Sequence, residues 1–107
     1  MSAVRLSQTA PWNARLRNPY RTRYAQHGGR YFEVRADSLN DVWSVWEIDH
    51  DGVILNRDPA SFVALTFTLA QARQAIALRV AGAAEEEIDE ATSITRRRSP
   101  NLEGQPR

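Results

Sequence analysis

The sequence predicts an α+β domain: a small antiparallel sheet of three to four strands, packed by one C-terminal helix and flanked by flexible tails at both ends. Three observations support this class. The apolar residues of the 107-residue chain concentrate between residues 31 and 82. Segments in the earlier part of that region alternate apolar and polar residues with period 2, as half-buried strands do. The last segment is alanine-rich, repeats apolar residues at helical spacing and stops at Gly82.

Three elements follow from local patterns. Residues 31–36 and 61–67 each alternate apolar and polar side chains and therefore predict strands. Thr68 and Gln71 form a capping box, in which the threonine accepts a hydrogen bond from a first-turn amide and the glutamine reaches back to the threonine. A helix is therefore expected over residues 69–81.

Residues 41–58 hold two of the three tryptophans and admit two interpretations. With period 2 they form a β-hairpin, closed by a two-residue type I′ turn at Asp51-Gly52 that places Ile48 opposite Leu55. The face expected to enter the core then carries Val42, Trp46, Ile48, Val53 and Leu55. The other face carries Trp43, Val45 and Ile54 among acidic residues, and we expect the N-terminal arm or a partner to cover it.

The second interpretation is a calcium-binding loop. Residues 47–58 resemble the twelve-residue loop of EF-hands, with oxygen-bearing side chains at positions 1, 3, 5 and 12 and Gly52 at position 6. Upstream apolar residues also recur at helical spacing. The loop departs from the EF-hand pattern at both ends, because Glu47 replaces the usual aspartate and Asp58 the usual glutamate. Calcium binding is therefore the remote alternative, and the hairpin is the main interpretation.

The charges divide the chain into three parts. Residues 1–35 contain seven arginines and one acidic residue, whereas residues 36–72 contain one arginine and six acidic residues. We expect a basic arm over residues 1–29, either flexible or docked, and a folded body over residues 30–82. Residues 83–107 are predicted to be a charged and largely disordered tail.

The arm interleaves arginine with aromatic residues, and this composition suits single-stranded nucleic acid. Arginine supplies phosphate contacts, and aromatic rings can stack on bases. The predicted contact residues are Arg15, Arg17, Tyr20, Arg21, Arg23, Tyr24 and Arg30. In the alternative interpretation the arm folds back and covers an apolar face of its own sheet.

Several function classes have no signal in the sequence. The chain has no cysteine and two histidines, and it lacks HExxH, GxSxG and glycine-rich phosphate-loop motifs. We therefore predict no enzyme, no cofactor, no catalytic or metal-ligating residues and no small-molecule substrate. No apolar run approaches the length of a membrane helix, so we predict no membrane partner and a cytoplasmic location.

Residues 31–81 resemble a family of DNA-binding domains. Antiparallel strands followed by a helix that opens with Phe67, Thr68 and Ala72 are similar to the sheet-reading domains of the plant AP2 and integrase arm-binding type. The resemblance implies a sheet laid in the major groove, with Arg35, Trp43 and Arg57 as candidate contacts.

These patterns predict a small regulatory or accessory binding module whose basic arm contacts nucleic acid. The alternative is a protein-interaction adaptor or homodimer. Its contact surface would consist of Trp43, Val45, Ile54 and Arg57.

Overall fold

The computed structural model describes residues 3–16, 21–37, 42–55 and 61–92. It consists of a four-stranded antiparallel sheet followed by two helices that pack on one face of the sheet. The elements are β1 (Thr22–His27), β2 (Arg30–Asp37), β3 (Val42–Ile48), β4 (Phe62–Thr66), α1 (Leu69–Val80) and α2 (Glu85–Thr92). The strands are ordered β1-β2-β3-β4 across the sheet. The predicted α+β class is confirmed.

The first strand lies in the segment that the sequence assigned to the arm. His27 pairs with Arg30, so Gly28 and Gly29 are the two-residue turn of a β1–β2 hairpin. Both glycines have positive φ, +57° and +75°, as a type I′ turn requires. The polar composition of β1 concealed its period-2 alternation.

The turn after β3 has a different register from the predicted one. The Asp49 N–H donates to the Val53 carbonyl (2.9 Å), and Ile48 pairs with Ile54 instead of Leu55. The Asp49 Oδ1 atom accepts hydrogen bonds from the Asp51 and Val53 N–H groups, which stabilises a loop one residue longer. Gly52 takes the positive φ of +89° that this loop needs. The predicted two-residue turn is therefore wrong, and the shift by one residue moves Ile54 to the other face.

The core face of β3 is also the reverse of the predicted one. In the β2–β3 register Phe32, Val34 and Ala36 lie opposite Glu47, Val45 and Trp43. The main core cluster forms on this face beneath the helices, with Val45 fully buried and Trp43 packed against it. At β4, Val45 pairs with Ala64 but Trp46 pairs with Phe62, so Val63 is the extra residue of a β-bulge.

The structure contains the predicted helix α1 and a second helix, α2, in the segment predicted to be a disordered tail. The capping box at Thr68 and Gln71 is present, and α1 begins where the sequence predicts. Beyond it, Glu85–Thr92 forms α2, with Ile88 and Thr92 buried against α1 and β4. Three glutamates occupy its first turn, where the helix dipole favours negative charge. Within the described ranges, no helix has both the length and the apolar character needed to cross a membrane.

Candidate interaction surface

The sheet face opposite the helices, here called the open face, is built from three rows of cross-strand neighbours. The first row contains Thr22, Arg35, Ser44 and Leu65. The second contains Tyr24, Glu33, Trp46 and Phe62. The third contains Gln26, Tyr31, Ile48 and Ile54. Side chains within one row lie close enough to contact one another.

Residues 10–16 of the arm pack on the apolar side chains of the third row, Tyr31, Ile48 and Ile54. The Trp12 ring lies 4.7 Å from the Tyr31 ring and meets the Tyr24 ring edge-on at 6.4 Å. The Trp12 indole and the Asn13 amide both donate to the His50 carbonyl at 3.1 Å. These contacts hold the arm on the third row, at the end of the sheet next to the 49–53 turn.

Among the described residues, the part of the open face that the arm does not contact is a compact patch of six residues. We call it the open-face patch: Glu33, Arg35, Ser44, Trp46, Phe62 and Leu65. The Trp46 ring meets the Phe62 ring edge-on at 5.2 Å, and the Arg35 guanidinium lies 5.8 Å from the centre of the Trp46 ring. Leu65, on β4, is 41% exposed. The patch therefore presents aromatic, aliphatic and guanidinium surface together.

Hydrogen bonds fix the polar groups of the open-face patch. Arg35 donates twice to the Glu33 carboxylate, at 3.0 and 3.3 Å. The Trp46 indole donates to the Ser44 hydroxyl at 3.0 Å, and that hydroxyl donates to the Arg35 carbonyl at 3.3 Å. Because the single cation and the single anion neutralise each other, the patch is uncharged overall, and the hydrogen bonds hold its polar side chains in place.

The open-face patch continues to the edge of the sheet at β4. Among the described residues, no strand pairs with the outer side of β4, and its sequence from Phe62 to Thr66 contains no charge. The other edge differs. Ser7 exchanges two backbone hydrogen bonds with Tyr24 on β1, at 2.7 and 3.0 Å. The N-terminal segment thus covers the β1 edge, while no described residue pairs with the outer edge of β4.

A buried ionic cluster lies on the opposite, helix-covered face. The Glu47 carboxylate is 2% exposed and accepts two hydrogen bonds of 2.8 Å from Arg30. Arg79 of α1 approaches the same carboxylate, with its Nε atom 3.5 Å from Oε1. Donation of hydrogen bonds to Glu47 raises the pKa of the Arg30 guanidinium, so this group stays charged. The cluster connects β2, β3 and α1, and the sequence, which placed Glu47 on an acidic surface, did not reveal it.

The described residues among those predicted to bind nucleic acid do not share a surface. Tyr24 is 6% exposed and lies on the open face, under Trp12. Arg30 is bound to Glu47, and Arg23 lies 5.7 Å from the Trp43 ring on the helix-covered face. Arg15 is exposed and Arg21 is half-buried. Arg17 and Tyr20 lie outside the described residues.

The predicted protein-contact surface is divided as well. Val45 is in the core, Trp43 is half-buried on the helix-covered face, and Ile54 lies on the open face. Arg57 lies outside the described residues. The contacts implied by the AP2-type resemblance are separated in the same way, since Arg35 and Trp43 project from opposite faces of the sheet.

The EF-hand interpretation does not fit the geometry of the described part of this segment. Val42–Ile48 is a strand, where an EF-hand requires its entering helix. Glu47, the first position of the loop, is engaged by Arg30 and Arg79. Over the described ranges, no group of three or more acidic residues and histidines is arranged to hold a metal ion.

Comparison with known proteins gave no family assignment. Protein-family models, curated proteins and solved structures each gave no significant match to the chain. The geometry of the sheet is therefore the basis on which a function is proposed.

Proposed function

We propose that this protein is a non-enzymatic interaction module that associates with a second copy of itself. The contact is formed by the outer edge of β4 together with the open-face patch. The observation that carries the proposal is the continuity of a neutral aromatic patch with an uncharged edge strand, whose outer side pairs with no described residue. The partner class matches the homodimer alternative derived from the sequence, but the surface is a different one.

The β4 edge offers backbone groups for pairing. An edge strand carries unpaired N–H and C=O groups, and proteins normally protect such edges with charge, proline or a covering segment. β4 has neither charge nor proline. Its bulge at Val63 lies in the first half of the strand and leaves residues 64–66 regular. Pairing with another strand would satisfy these groups, as in β-augmentation.

The β4 strand of a second copy can pair with the backbone groups of this edge. Two β4 strands can pair antiparallel about a two-fold axis perpendicular to the sheet, which gives an isologous contact. Because β4 is uncharged, the pairing brings no like charges face to face along the strands. The same axis keeps both open faces on one side, so that the two patches join. Tryptophan and arginine, which dominate binding energy at interfaces, then lie beside the contact.

Nucleic-acid binding by the arm has weaker support from the described residues. Among the predicted contact residues that the structure describes, Tyr24, Arg23 and Arg30 have their side chains engaged within the fold. Stacking on a base would require Tyr24 to leave its position beneath Trp12. Nucleic-acid binding is therefore the second activity that the experiments measure.

Sedimentation equilibrium of the full chain, from low micromolar to high concentration, tests the proposal. We expect a reversible monomer–dimer equilibrium. Leu65→Lys places a charge on the exposed edge and is expected to shift the chain to monomer. Val53→Lys is the matched control, because Val53 is also an exposed apolar residue (61%) but lies in the turn after β3. This variant should dimerise like the natural chain.

Two outcomes would contradict the proposal. One is a natural chain that remains monomeric at the highest concentration. The other is a dimer that Leu65→Lys and Val53→Lys weaken equally, which would place the contact elsewhere. Circular dichroism of both variants verifies that each retains the fold.

A further inference from the structure

We infer that a groove between the N-terminal segment and α1 binds a small organic anion that carries a carboxylate or phosphate group. The groove has a volume of about 610 Å³ and is lined by Ala3, Val4, Arg5, Leu6 and Arg73. This volume is within the range typical of small-molecule sites and exceeds what a bare inorganic ion fills. The inference is independent of self-association, since none of these residues belongs to the open-face patch or to β4.

The walls of the groove are held in place. Val4 is buried in the main core cluster, and Leu6 packs against that cluster from the same segment. Immediately after them, Ser7 exchanges two backbone hydrogen bonds with Tyr24. The opposite wall belongs to α1, whose first turn is fixed by the capping box at Thr68. The arginines are thus presented from two ordered elements, which reduces the entropic cost of binding a ligand.

The charge in the groove is not neutralised within the described part of the chain. Arg5 and Arg73 have no hydrogen bond, ion pair or ring contact with a described residue, and no carboxylate lines the groove. Other arginines are engaged: Arg30 and Arg79 with Glu47, and Arg35 with Glu33. Each guanidinium presents a planar set of donors that matches the oxygens of a carboxylate or phosphate.

The apolar lining narrows the ligand class. Ala3, Val4 and Leu6 contribute aliphatic surface beside the two cations. A ligand with one anionic group and an apolar body would satisfy both kinds of surface. Phenyl phosphate and benzoate represent the two possible anionic groups on the same ring, and phenol is the neutral control. Inorganic phosphate tests the charge without the apolar body.

The test is a ¹H–¹⁵N NMR titration of the full chain with each of the four compounds. We expect saturable shifts confined to the amides of residues 3–7 and of α1 around Arg73, with phenyl phosphate or benzoate and not with phenol. The stronger of the two identifies the anionic group. Inorganic phosphate should bind more weakly than phenyl phosphate. Arg73→Gln and Arg5→Gln should each weaken binding about tenfold, the loss expected for one hydrogen bond to a charged group.

Arg15→Gln is the matched control, since Arg15 is another exposed arginine but lies outside the groove. This variant should bind like the natural chain. Three results would overturn the inference: no saturable shift at these amides, shifts of equal size with phenol, or equal weakening by Arg15→Gln and Arg73→Gln. The NMR spectrum of each unliganded variant shows whether its fold is intact.

Discussion

Arg30 and Glu47 form a bidentate ion pair, in which two guanidinium nitrogens donate to the two carboxylate oxygens, each at 2.8 Å. The carboxylate is buried under α1. The pair joins the first residue of β2 to the end of β3, and Arg79 connects it to the last turn of α1. Because a buried carboxylate is costly without partners, the cluster makes the position of α1 depend on both strands.

Glu47→Gln is expected to lower the free energy of unfolding by about 3 kcal/mol or more, because it leaves two arginines beside a neutral amide. The matched control is Glu33→Gln, which removes the ion pair with the half-exposed Arg35. That substitution should cost about 1 kcal/mol or less. Urea denaturation followed by tryptophan fluorescence measures both. Equal losses would mean that the Glu47 cluster contributes no more than a surface pair.

Gly52→Ala is expected to destabilise the protein more than Gly82→Ala. The two glycines have nearly identical φ angles, +89° and +90°, so the backbone strain imposed by alanine is the same. Only at Gly52 would the new Cβ meet another side chain, at 2.6 Å from the Leu16 Cδ2 atom. The difference between the two variants in thermal unfolding therefore reports whether the arm lies on the turn.

Leu16→Ala in the Gly52→Ala background provides a second readout of the same contact. Removing the Leu16 Cδ atoms should relieve the clash, so the two substitutions together should cost less than the sum of their separate effects. Additive effects would indicate that Leu16 does not contact the turn in solution.

Ionisation of Tyr24 should destabilise the protein at alkaline pH. Burial raises the pKa of the Tyr24 hydroxyl, and the nearby Glu33 carboxylate raises it further. As the pH rises, the Tyr24 hydroxyl therefore loses its proton first in the unfolded chain, near pH 10, while the same hydroxyl in the folded protein keeps its proton. The contribution of the protonated Tyr24 to the free energy of unfolding is therefore fully present below about pH 10. This contribution is lost as the pH rises through the folded-state pKa. Tyr24→Phe should remove part of this loss in denaturation experiments at neutral and alkaline pH, and an unchanged profile would refute the assignment.

Self-association and nucleic-acid binding should respond differently to salt. Acidic side chains are exposed on α2, which packs on β4, so pairing of two β4 strands brings two negatively charged helices closer together. Salt screens the repulsion between these helices, and higher salt should therefore not weaken the dimer. Oligonucleotide binding would instead weaken steeply between low and moderate salt. Sedimentation and fluorescence anisotropy with a labelled single-stranded oligonucleotide, each at two salt concentrations, separate the two activities. Arg15→Glu is a better probe of the arm than deletion of residues 1–29, because that deletion removes β1 from the sheet.

Local patterns predicted those elements whose sequence carries one clear signal. The capping box at Thr68 specifies the start of α1, because both of its hydrogen bonds lie within four residues. The alternation in β2 similarly identifies its apolar face. In β1 the apolar signal is weak: Ala25 is the one small apolar residue on the core side, between Arg23 and His27. For α2, whose sequence is mostly acidic, the packing of Ile88 depends on α1 and β4.

The sequence by itself determined the α+β class, the strand β2 and the start of α1. The tertiary structure decided which face of β3 is buried, because VWSVWEI is apolar on both faces and its alternation cannot choose between them. Val45 enters the core because it pairs with Val34 and Ala64 beneath the helices, and this places Trp46 beside Arg35 and Phe62 on the open face. The candidate interaction surface thus depends on strand pairing and helix packing, which join residues far apart in the chain.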